Sequence, residues 1–433
     1  MTERMVTETG TVVLVEESHA LPLVHIGLSL RTGSVHDPRG SEGLMRATAR
    51  LLRMGTRGLP AAEVEERIDA LGAQLGVGCA PSYVHVSGSV VASNLEPFFA
   101  LVCELVGAPA LRASDLARVK RETLAELSSL CDDDRSLAAR NFRAFAFGRH
   151  PYGRPTTGNA QSVRTLSRSQ VLANYEKHFV SQNVVVGMAG AVSAERAATL
   201  VTRYLRLPAG RGPSERVPPP KLAPGRRVLL VDKPERTQTQ ILIGTLGTHV
   251  DDPDHTALQV ANTVFGGLFT ARLTHEVRSV RGLSYGASSS LGHDRERDLW
   301  SMWTFPAAKD ARACTELQLR LFDEWVHKGV TASELRMAKS FLVKSHAFEV
   351  DTAAKRLDQS VEIEVFDLPA DYHSGFVSRV QEVTVASAHA ALQKRLSRRD
   401  QVITVVATAK ELRAQFAKLP RVEKVSVVPF DRV

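Results

Sequence analysis

The sequence predicts an α+β fold made of two homologous α/β-sandwich units, and three observations support this fold class. The chain has 433 residues, about three times the commonest domain size. Its 43% hydrophobic and 24% charged residues match ordinary globular proteins and exclude a disordered or fibrous chain. Strand-like and helix-like patterns alternate, and their order recurs in the second half of the chain.

The recurrence appears at two places. A strand pattern over residues 26–30, followed by an Asp-Pro turn and an apolar-periodic helix, matches one over 241–245, 215 residues later. A helix followed by an apolar strand at 184–188 matches a second such pair at 402–406, 218 residues later. Nearly equal offsets indicate a duplication. Within the first copy, apolar residues at helical spacing predict a helix from Ala62 to Leu75.

A stretch rich in proline and glycine lies almost at the midpoint and predicts a linker, because it cannot form a helix or central strand. The expected organisation is therefore an N-terminal unit over residues 8–208, a linker over 209–225 and a C-terminal unit over 226–433.

Several protein classes are excluded or disfavoured. No apolar run reaches the roughly 20 residues that span a bilayer, so we expect no membrane insertion. The first residues lack a signal-peptide pattern, so we expect a cytoplasmic protein, or a periplasmic one if a leader has been removed. The four cysteines show no C-x-x-C spacing, which indicates reduced thiols. The net charge is +8, but the basic residues are scattered, so no nucleic-acid partner is expected.

The helix after the first Asp-Pro turn carries a family resemblance. Residues 43–56, Gly-Leu-Met-Arg-Ala-Thr-Ala-Arg-Leu-Leu-Arg-Met-Gly-Thr, resemble the active-site helix of the pitrilysin/insulinase family of zinc metallopeptidases, the inverzincins. That family has His, Glu and His where this chain has Arg46, Ala49 and Arg50. Two imidazoles at i and i+4 hold zinc and a carboxylate activates its water. An arginine offers no lone pair to a metal and alanine no proton relay, so the resemblance implies a degenerate site that binds no metal.

Glu126 matches the family's third ligand by its context and by its spacing of 76 residues after Arg50. Two interpretations of the arginines stay open. Arg46, Arg50 and Arg53 form a solvated helix face, or else Arg46 or Arg50 pairs with Glu126 and fills the vacated site.

The second half carries the stronger resemblance. Residues 264–286 are similar to the family segment that completes the active site, with a Gly-rich turn, a short helix, and an Arg and a Tyr seven residues apart. The matching pair is Arg278 and Tyr285, which the resemblance assigns to binding the substrate carbonyl and the oxyanion. The alternatives are an exposed helix-end cation and a core aromatic. Three charged neighbours are attributed to helix-surface ion pairs: Arg272, Glu276 and Arg281.

A pair of glycines and one loop give weaker signals. Gly266 and Gly267 suit either a turn or close helix packing. Residues 150–158 also match a family loop and predict an ordered turn.

The resemblance runs from about residue 8 to the C-terminus and implies half of a four-unit peptidase clamshell. It implies a heterodimer with a homologous H-x-x-E-H subunit, whose zinc-bound water attacks an extended peptide while Arg278 and Tyr285 act in trans. This chain would be inactive alone, and a homodimer could form without the partner. The alternatives are a structural or assembly protein, or a peptide-capture protein, of the same fold.

Overall fold

The computed structural model describes residues 2–213, 215 and 217–432. Within these residues the chain divides into two compact units that are discontinuous in sequence. Unit 1 comprises residues up to 126, 155–216 and 347–373, and unit 2 comprises 127–154, 217–346 and 374 onward. The predicted linker 209–225 includes positions 214 and 216, which lie outside the described residues, and the predicted boundaries at 208 and 226 stay a prediction.

Unit 1 contains a mixed sheet in the order β1-β2-β6-β3-β5-β4. Its strands are β1 (Glu3–Val6), β2 (Val12–Glu17), β3 (Leu23–Leu30), β4 (Gln74–Cys79), β5 (Val84–Val91) and β6 (Val184–Gly190). Its helices are α1 (Leu44–Leu52), α2 (Ala61–Ala70), α3 (Leu95–Gly107), α4 (Ala113–Leu130), α6 (Ala160–Thr165), α7 (Arg168–His178), α8 (Ala194–Tyr204) and α13 (Ala353–Phe366), with the last turn of α4 in unit 2.

Unit 2 contains a sheet in the order β12-β7-β11-β8-β10-β9. Its strands are β7 (Arg226–Asp232), β8 (Gln240–Leu246), β9 (Ala287–Leu291), β10 (Leu299–Thr304), β11 (Val402–Ala407) and β12 (Val422–Pro429). Its helices are α5 (Asp134–Phe147), α9 (His255–Phe265), α10 (Arg272–Thr274), α11 (Ala311–Lys328), α12 (Ala332–Ser345), α14 (Phe376–Glu382), α15 (Val385–Arg395) and α16 (Ala409–Ala417).

The two sheets confirm the duplication. Five strands of each sheet follow the same order: β2-β6-β3-β5-β4 in unit 1 and β7-β11-β8-β10-β9 in unit 2. In both orders the first two strands pair parallel and every later neighbour pairs antiparallel. The sixth strand differs, because β1 pairs antiparallel with β2 whereas β12 pairs parallel with β7. Both copies are thus α/β sandwiches with one shared topology.

Each sheet is covered on both faces. In unit 1 all of β6 is buried, which fits a strand packed on both sides. Leu357 of α13 packs with Leu14 and Val185 on one face, whereas Val186 and Met188 join the core on the other. In unit 2 the core centres on buried aromatic side chains, including Trp300 and Trp325, beneath α9 and α11. The helix α5 lies against β8 and β11 of that sheet.

The helices α5 and α13 occupy exchanged positions. Helix α5 belongs to the first half of the sequence but to unit 2, and α13 belongs to the second half but to unit 1. Their first residues, Asp134 and Ala353, stand 219 positions apart, close to the repeat offset. The two copies therefore exchange an equivalent helix.

One predicted boundary is wrong. The helix expected from Ala62 to Leu75 ends at Ala70, and Leu75 lies in the edge strand β4. Gly72 has a φ of 61°, a left-handed conformation that glycine adopts without strain and that ends helices. Leu75 packs into the core from strand β4, so an apolar residue at this position is consistent with a helix or with a strand.

The loop over residues 150–158 forms the predicted ordered turn. The Nδ1 of His150 accepts from the Tyr152 N–H, and the buried Tyr152 hydroxyl donates to Asp294 at 3.0 Å. No helix among the described residues is long and apolar enough to cross a membrane.

Candidate functional site

The turn before α1 positions the degenerate zinc-site helix. The two carboxylate oxygens of Asp37 accept the backbone N–H groups of Gly43 and Met45, each at 2.8 Å. Gly43 adopts a φ of 93° at the N-terminus of the helix, which a side chain would disfavour. An acidic group that satisfies free N–H groups at a helix start is stabilising. The Asp-Pro turn therefore sets where α1 begins.

Arg46 and Arg50 both reach Glu126 on α4. The Arg46 Nη2 lies 2.7 Å from Glu126 Oε2, and the Arg50 Nη1 lies 2.7 Å from Glu126 Oε1. Arg50 also donates to Glu122 at 2.7 Å and to the Thr123 hydroxyl at 3.2 Å. One helix turn separates the two arginines, so a single carboxylate is held between two guanidinium groups.

The electrostatics of this cluster keep Glu126 ionised. Partial burial raises the pKa of the Glu126 carboxyl, but the hydrogen bonds and charges of Arg46 and Arg50 outweigh it, so the pKa lies below its usual value. Arg53 points elsewhere, since it donates to Glu65 and to the Leu75 carbonyl.

The residues at this position do not fit a zinc ion. Arg46 and Arg50 contribute protonated nitrogens, which cannot coordinate a metal. Ala49, where the family has a glutamate, is 1% exposed and belongs to the hydrophobic core. Over the part of the chain that the structure describes, no group of three or more His, Cys, Asp or Glu side chains is placed to hold a metal ion.

In unit 2, Gly266 and Gly267 follow α9 in the segment over residues 264–286, and Gly266 allows α9 and β9 to approach closely. A Cβ atom on Gly266 would lie 2.5 Å from the Ser289 hydroxyl, and one on Gly267 would lie 2.9 Å from the Thr263 Cα. Both glycine N–H groups donate to the Asn262 carbonyl at the end of α9. The two glycines therefore end the helix and permit close packing as well.

The chain then enters α10 and continues as a π-helical turn, His275–Val280. Such turns are uncommon and occur frequently at functional sites. Arg278 lies in this turn and Tyr285 in the loop that precedes β9.

Arg278 is stacked between two exposed aromatic rings. Its guanidinium carbon lies 4.1 Å from the ring centroid of Tyr285 and 4.7 Å from that of Phe269. The two aromatic residues are 73% and 69% exposed, respectively. Within the described residues, no carboxylate forms an ion pair or hydrogen bond with Arg278. The alternative that placed Tyr285 in the core is therefore wrong: its ring is exposed and lies against a half-buried Arg278.

The charged neighbours have different environments. Arg272 forms a bidentate pair with Glu334 of α12, with both N–O distances at 2.6 Å. The carboxylate of Glu276 lies 3.9 Å from His275, and Arg281 is exposed. Arg272 thus anchors the segment to α12, whereas the guanidinium of Arg278 has no carboxylate partner among the residues that the structure describes.

Three residues of these sites were not found by sequence reasoning. The sequence marks Asp37 as part of an Asp-Pro turn, and an acidic residue before a helix is also a capping signal. Glu122 lies four residues before Glu126, and this helical spacing would have indicated a shared face. Phe269 carried a weaker signal, a large apolar residue within a Gly-rich turn.

Comparisons with known proteins identify the family and fold that this chain resembles. The family model described as insulinase (peptidase family M16) matches residues 12–160, and the model described as peptidase M16 inactive domain matches 165–342. An uncharacterised zinc protease of Mycobacterium bovis is 27% identical over 391 residues, covering 88% of each chain. A protein of Helicobacter pylori named as a non-peptidase homolog is 21% identical and covers 95% of each chain.

Solved structures show the same fold. A crystal structure of a peptidase M16 inactive domain from Pseudomonas fluorescens matches with a TM-score of 0.87 and 26% identity over 99% of both chains. A chain of complex III2 from Candida albicans matches with a TM-score of 0.79 at 16% identity, over 95% of this chain and 97% of that one. Two family models that match residues 12–160 and 165–342, and two homologous sandwich units with the fold of a solved M16 domain, lead to one conclusion: the chain belongs to the pitrilysin/insulinase family, M16.

Proposed function

We propose that this chain is the metal-free subunit of a heterodimeric zinc metallopeptidase, in which Arg278 and Tyr285 bind the substrate carbonyl and its developing oxyanion in trans. The observation that carries the proposal is the exposed stack around Arg278, whose donors have no carboxylate partner among the described residues. Arg272, in contrast, uses its donors in a bidentate ion pair with Glu334.

The chemistry of the pair suits this role. A guanidinium and a phenol are hydrogen-bond donors, and donors aimed at developing negative charge lower the barrier to acyl transfer. The rings of Phe269 and Tyr285 restrict the guanidinium plane, so less rotational freedom is lost when a carbonyl binds. Enclosure by a partner would also remove water and strengthen both hydrogen bonds.

The need for a partner follows from the first site. Arg46, Ala49 and Arg50 do not fit a metal, so the H-x-x-E-H centre would belong to a homologous subunit. We infer that the substrate is an extended peptide. The edge strand β4, which packs beside α1, offers main-chain groups that bind extended peptides without strong sequence preference.

The test is hydrolysis of a quenched fluorescent peptide library by this chain alone, by the H-x-x-E-H homologue from the same genome alone, and by the mixture with zinc. We expect hydrolysis in the mixture and none with this chain alone. Arg278→Gln and Tyr285→Phe should each lower kcat/KM of the mixture at least tenfold, about 1.4 kcal/mol in barrier. Arg281→Gln is the matched control, because it removes an exposed positive charge three residues away.

The same experiment separates this proposal from its alternative, a structural or assembly protein of the same fold. A scaffold would support complex formation, measured by size-exclusion chromatography, whether or not the pair is intact. If Arg278→Gln and Tyr285→Phe form the complex and leave its activity unchanged, the pair has no catalytic role and the scaffold function is correct. Tight peptide binding without hydrolysis in any mixture would instead identify a peptide-capture protein.

A further inference from the structure

A cluster of arginines lies where three neighbouring strands of unit 2 begin. Arg226 is the first residue of β7, Arg421 precedes β12, and Arg398 and Arg399 lie in the loop before β11. The strands β11 and β12 both pair parallel with β7. Parallel strands start at the same edge of a sheet, so this topology gathers the four side chains around one cleft.

The cleft is large and positively charged. It has a volume of about 1000 Å³, and its lining includes these four arginines and two carboxylates, those of Asp400 and Glu423. The Asp400 carboxylate is already engaged, since it accepts the Gly225 N–H at 2.8 Å and the Ser397 hydroxyl at 3.0 Å. The Asp323 carboxylate of α11 also lies within 4 Å of Arg398 and Arg421, so four positive side chains face three negative ones and one positive charge is in excess.

Arg226 is the buried arginine of this cleft, and the protein fixes its position by hydrogen bonds. It is 2% exposed, and its Nε and Nη1 donate to the Gln401 side chain at 2.8 Å and to the Pro420 carbonyl at 2.6 Å. Its Nη2 is buried and has no hydrogen-bond partner in the described part of the chain. A buried donor without an acceptor is costly. Burial lowers the pKa of Arg226 more than nearby Asp323 raises it, so the surroundings undercompensate its charge.

The one carboxylate that faces several of these arginines is poorly placed to satisfy them. Asp323 of α11 lines an adjoining cavity of about 270 Å³ that also reaches Arg226 and Arg398. It lies 3.6 Å from the Arg398 Nε and 3.7 Å from the Arg421 Nη1, both beyond hydrogen-bond distance. The Arg398 Nε consequently has no hydrogen-bond acceptor among the described residues.

We propose that this cleft binds the phosphoryl group of a small phosphorylated molecule between Arg226, Arg398 and Arg421. A phosphoryl group offers three oxygens to three guanidinium groups, whereas a carboxylate offers two, and its negative charge suits a cleft with positive charge in excess. The cleft volume exceeds what a phosphate ion needs and lies in the range of ligand pockets, which leaves room for the remainder of a metabolite. This inference does not rest on the proposed peptidase role.

The test is isothermal titration calorimetry of the full chain at low salt with three probes: inorganic phosphate, pyrophosphate and ADP. Citrate is the comparison anion. We expect pyrophosphate or ADP to bind more tightly than citrate, and tighter binding of ADP than of pyrophosphate would show that the rest of the nucleotide contributes. Arg398→Gln and Arg421→Gln should each weaken binding at least fivefold, and Asp323→Asn should tighten it at least twofold by removing the competing carboxylate.

Arg413→Gln is the matched control, because Arg413 is an exposed arginine of α16 in the same unit, outside the cleft lining, and its loss should leave affinity unchanged. Arg226→Gln should abolish binding. If that variant does not fold, the double variant Arg398→Gln, Arg421→Gln takes its place. The proposal is overturned if none of the three phosphoryl probes binds at 10 mM concentration, if citrate binds as tightly as they do, or if Arg413→Gln weakens binding as much as Arg398→Gln.

Discussion

Removing the Phe269 ring tests whether stacking positions Arg278. Phe269 precedes Arg278 in the chain, whereas Tyr285 follows it. The distance between the Arg278 guanidinium carbon and the centroid of the Phe269 ring is 4.7 Å. Phe269 is 69% exposed, so its substitution removes little buried apolar area. Phe269→Leu keeps an apolar side chain and deletes only the aromatic face, which makes it the sharper variant than Phe269→Ala.

The expected magnitude follows from the exposure of the stack. Cation–π pairs contribute about 0.5–1 kcal/mol at exposed sites, which corresponds to a factor of about 2–5 in a rate or binding constant. We therefore expect Phe269→Leu to lower kcat/KM of the two-subunit mixture about 2–5-fold. Its free energy of unfolding should change by less than about 0.5 kcal/mol, as for other exposed substitutions.

Two assays separate positioning from a general loss of function. In the isolated chain, ring currents should shift the Arg278 side-chain NMR resonances, and Phe269→Leu should reduce that shift. In the mixture, a double-mutant cycle with Arg278→Gln should show coupling, because Phe269 acts only through the arginine. Additive effects of the two substitutions, or unchanged Arg278 resonances in Phe269→Leu, would refute the stacking argument.

Three further outcomes follow from the remaining contacts. Glu126→Gln should cost about 0.2–1 kcal/mol of stability, since its ion pairs are partly solvated. Because the folded-state pKa of Glu126 is lowered, its contribution is present above the unfolded pKa and lost as pH falls below it, so wild type and variant should converge in acid urea melts. Glu334→Gln should cost about 1–2 kcal/mol, and this difference should vanish as pH falls from about 4.5 towards the folded pKa of about 2. Asp251→Asn, at an exposed turn position, is the control and should cost less than about 0.5 kcal/mol. Burial raises the pKa of the Cys314 thiol to about 11, so it should react with Ellman's reagent only after unfolding.

The duplication was predictable because it depends on local pattern. Apolar runs over 26–30 and 241–245 lie in β3 and β8, which hold the same place in their sheets. The exchange of α5 and α13 was not predictable in this way. An amphipathic pattern shows that one helix face is buried, but it does not identify which sheet buries it, and in a duplicated chain both sheets present similar surfaces.

The sequence predicts where the site residues lie along the chain, but it does not predict which side chains they contact. Family resemblance located Arg46, Arg50 and Glu126, yet two interpretations stayed open because spacing does not determine where a long flexible side chain ends. The ion pairs depend on α4 lying beside α1, which is a tertiary fact. The stack on Arg278 likewise depends on the backbone path between Phe269 and Tyr285, which passes through a π-helical turn that the sequence does not indicate.

The charge balance of the degenerate site explains why its loss of zinc ligands is hard to reverse one residue at a time. The family resemblance implies that a metal-binding relative would hold a dication at the position of Glu126, whereas this chain places two guanidinium groups against Glu126 and Glu122. Changing Arg50 alone to histidine would remove two ion pairs and supply one ligand, with Arg46 still beside the carboxylate and repelling a metal ion. A zinc site would need both arginines replaced together, and a catalytic zinc site would also need a carboxylate in place of the core residue Ala49. Single revertants should therefore lose stability without gaining metal affinity, so we expect the metal-free state to persist and any catalytic role to depend on a partner.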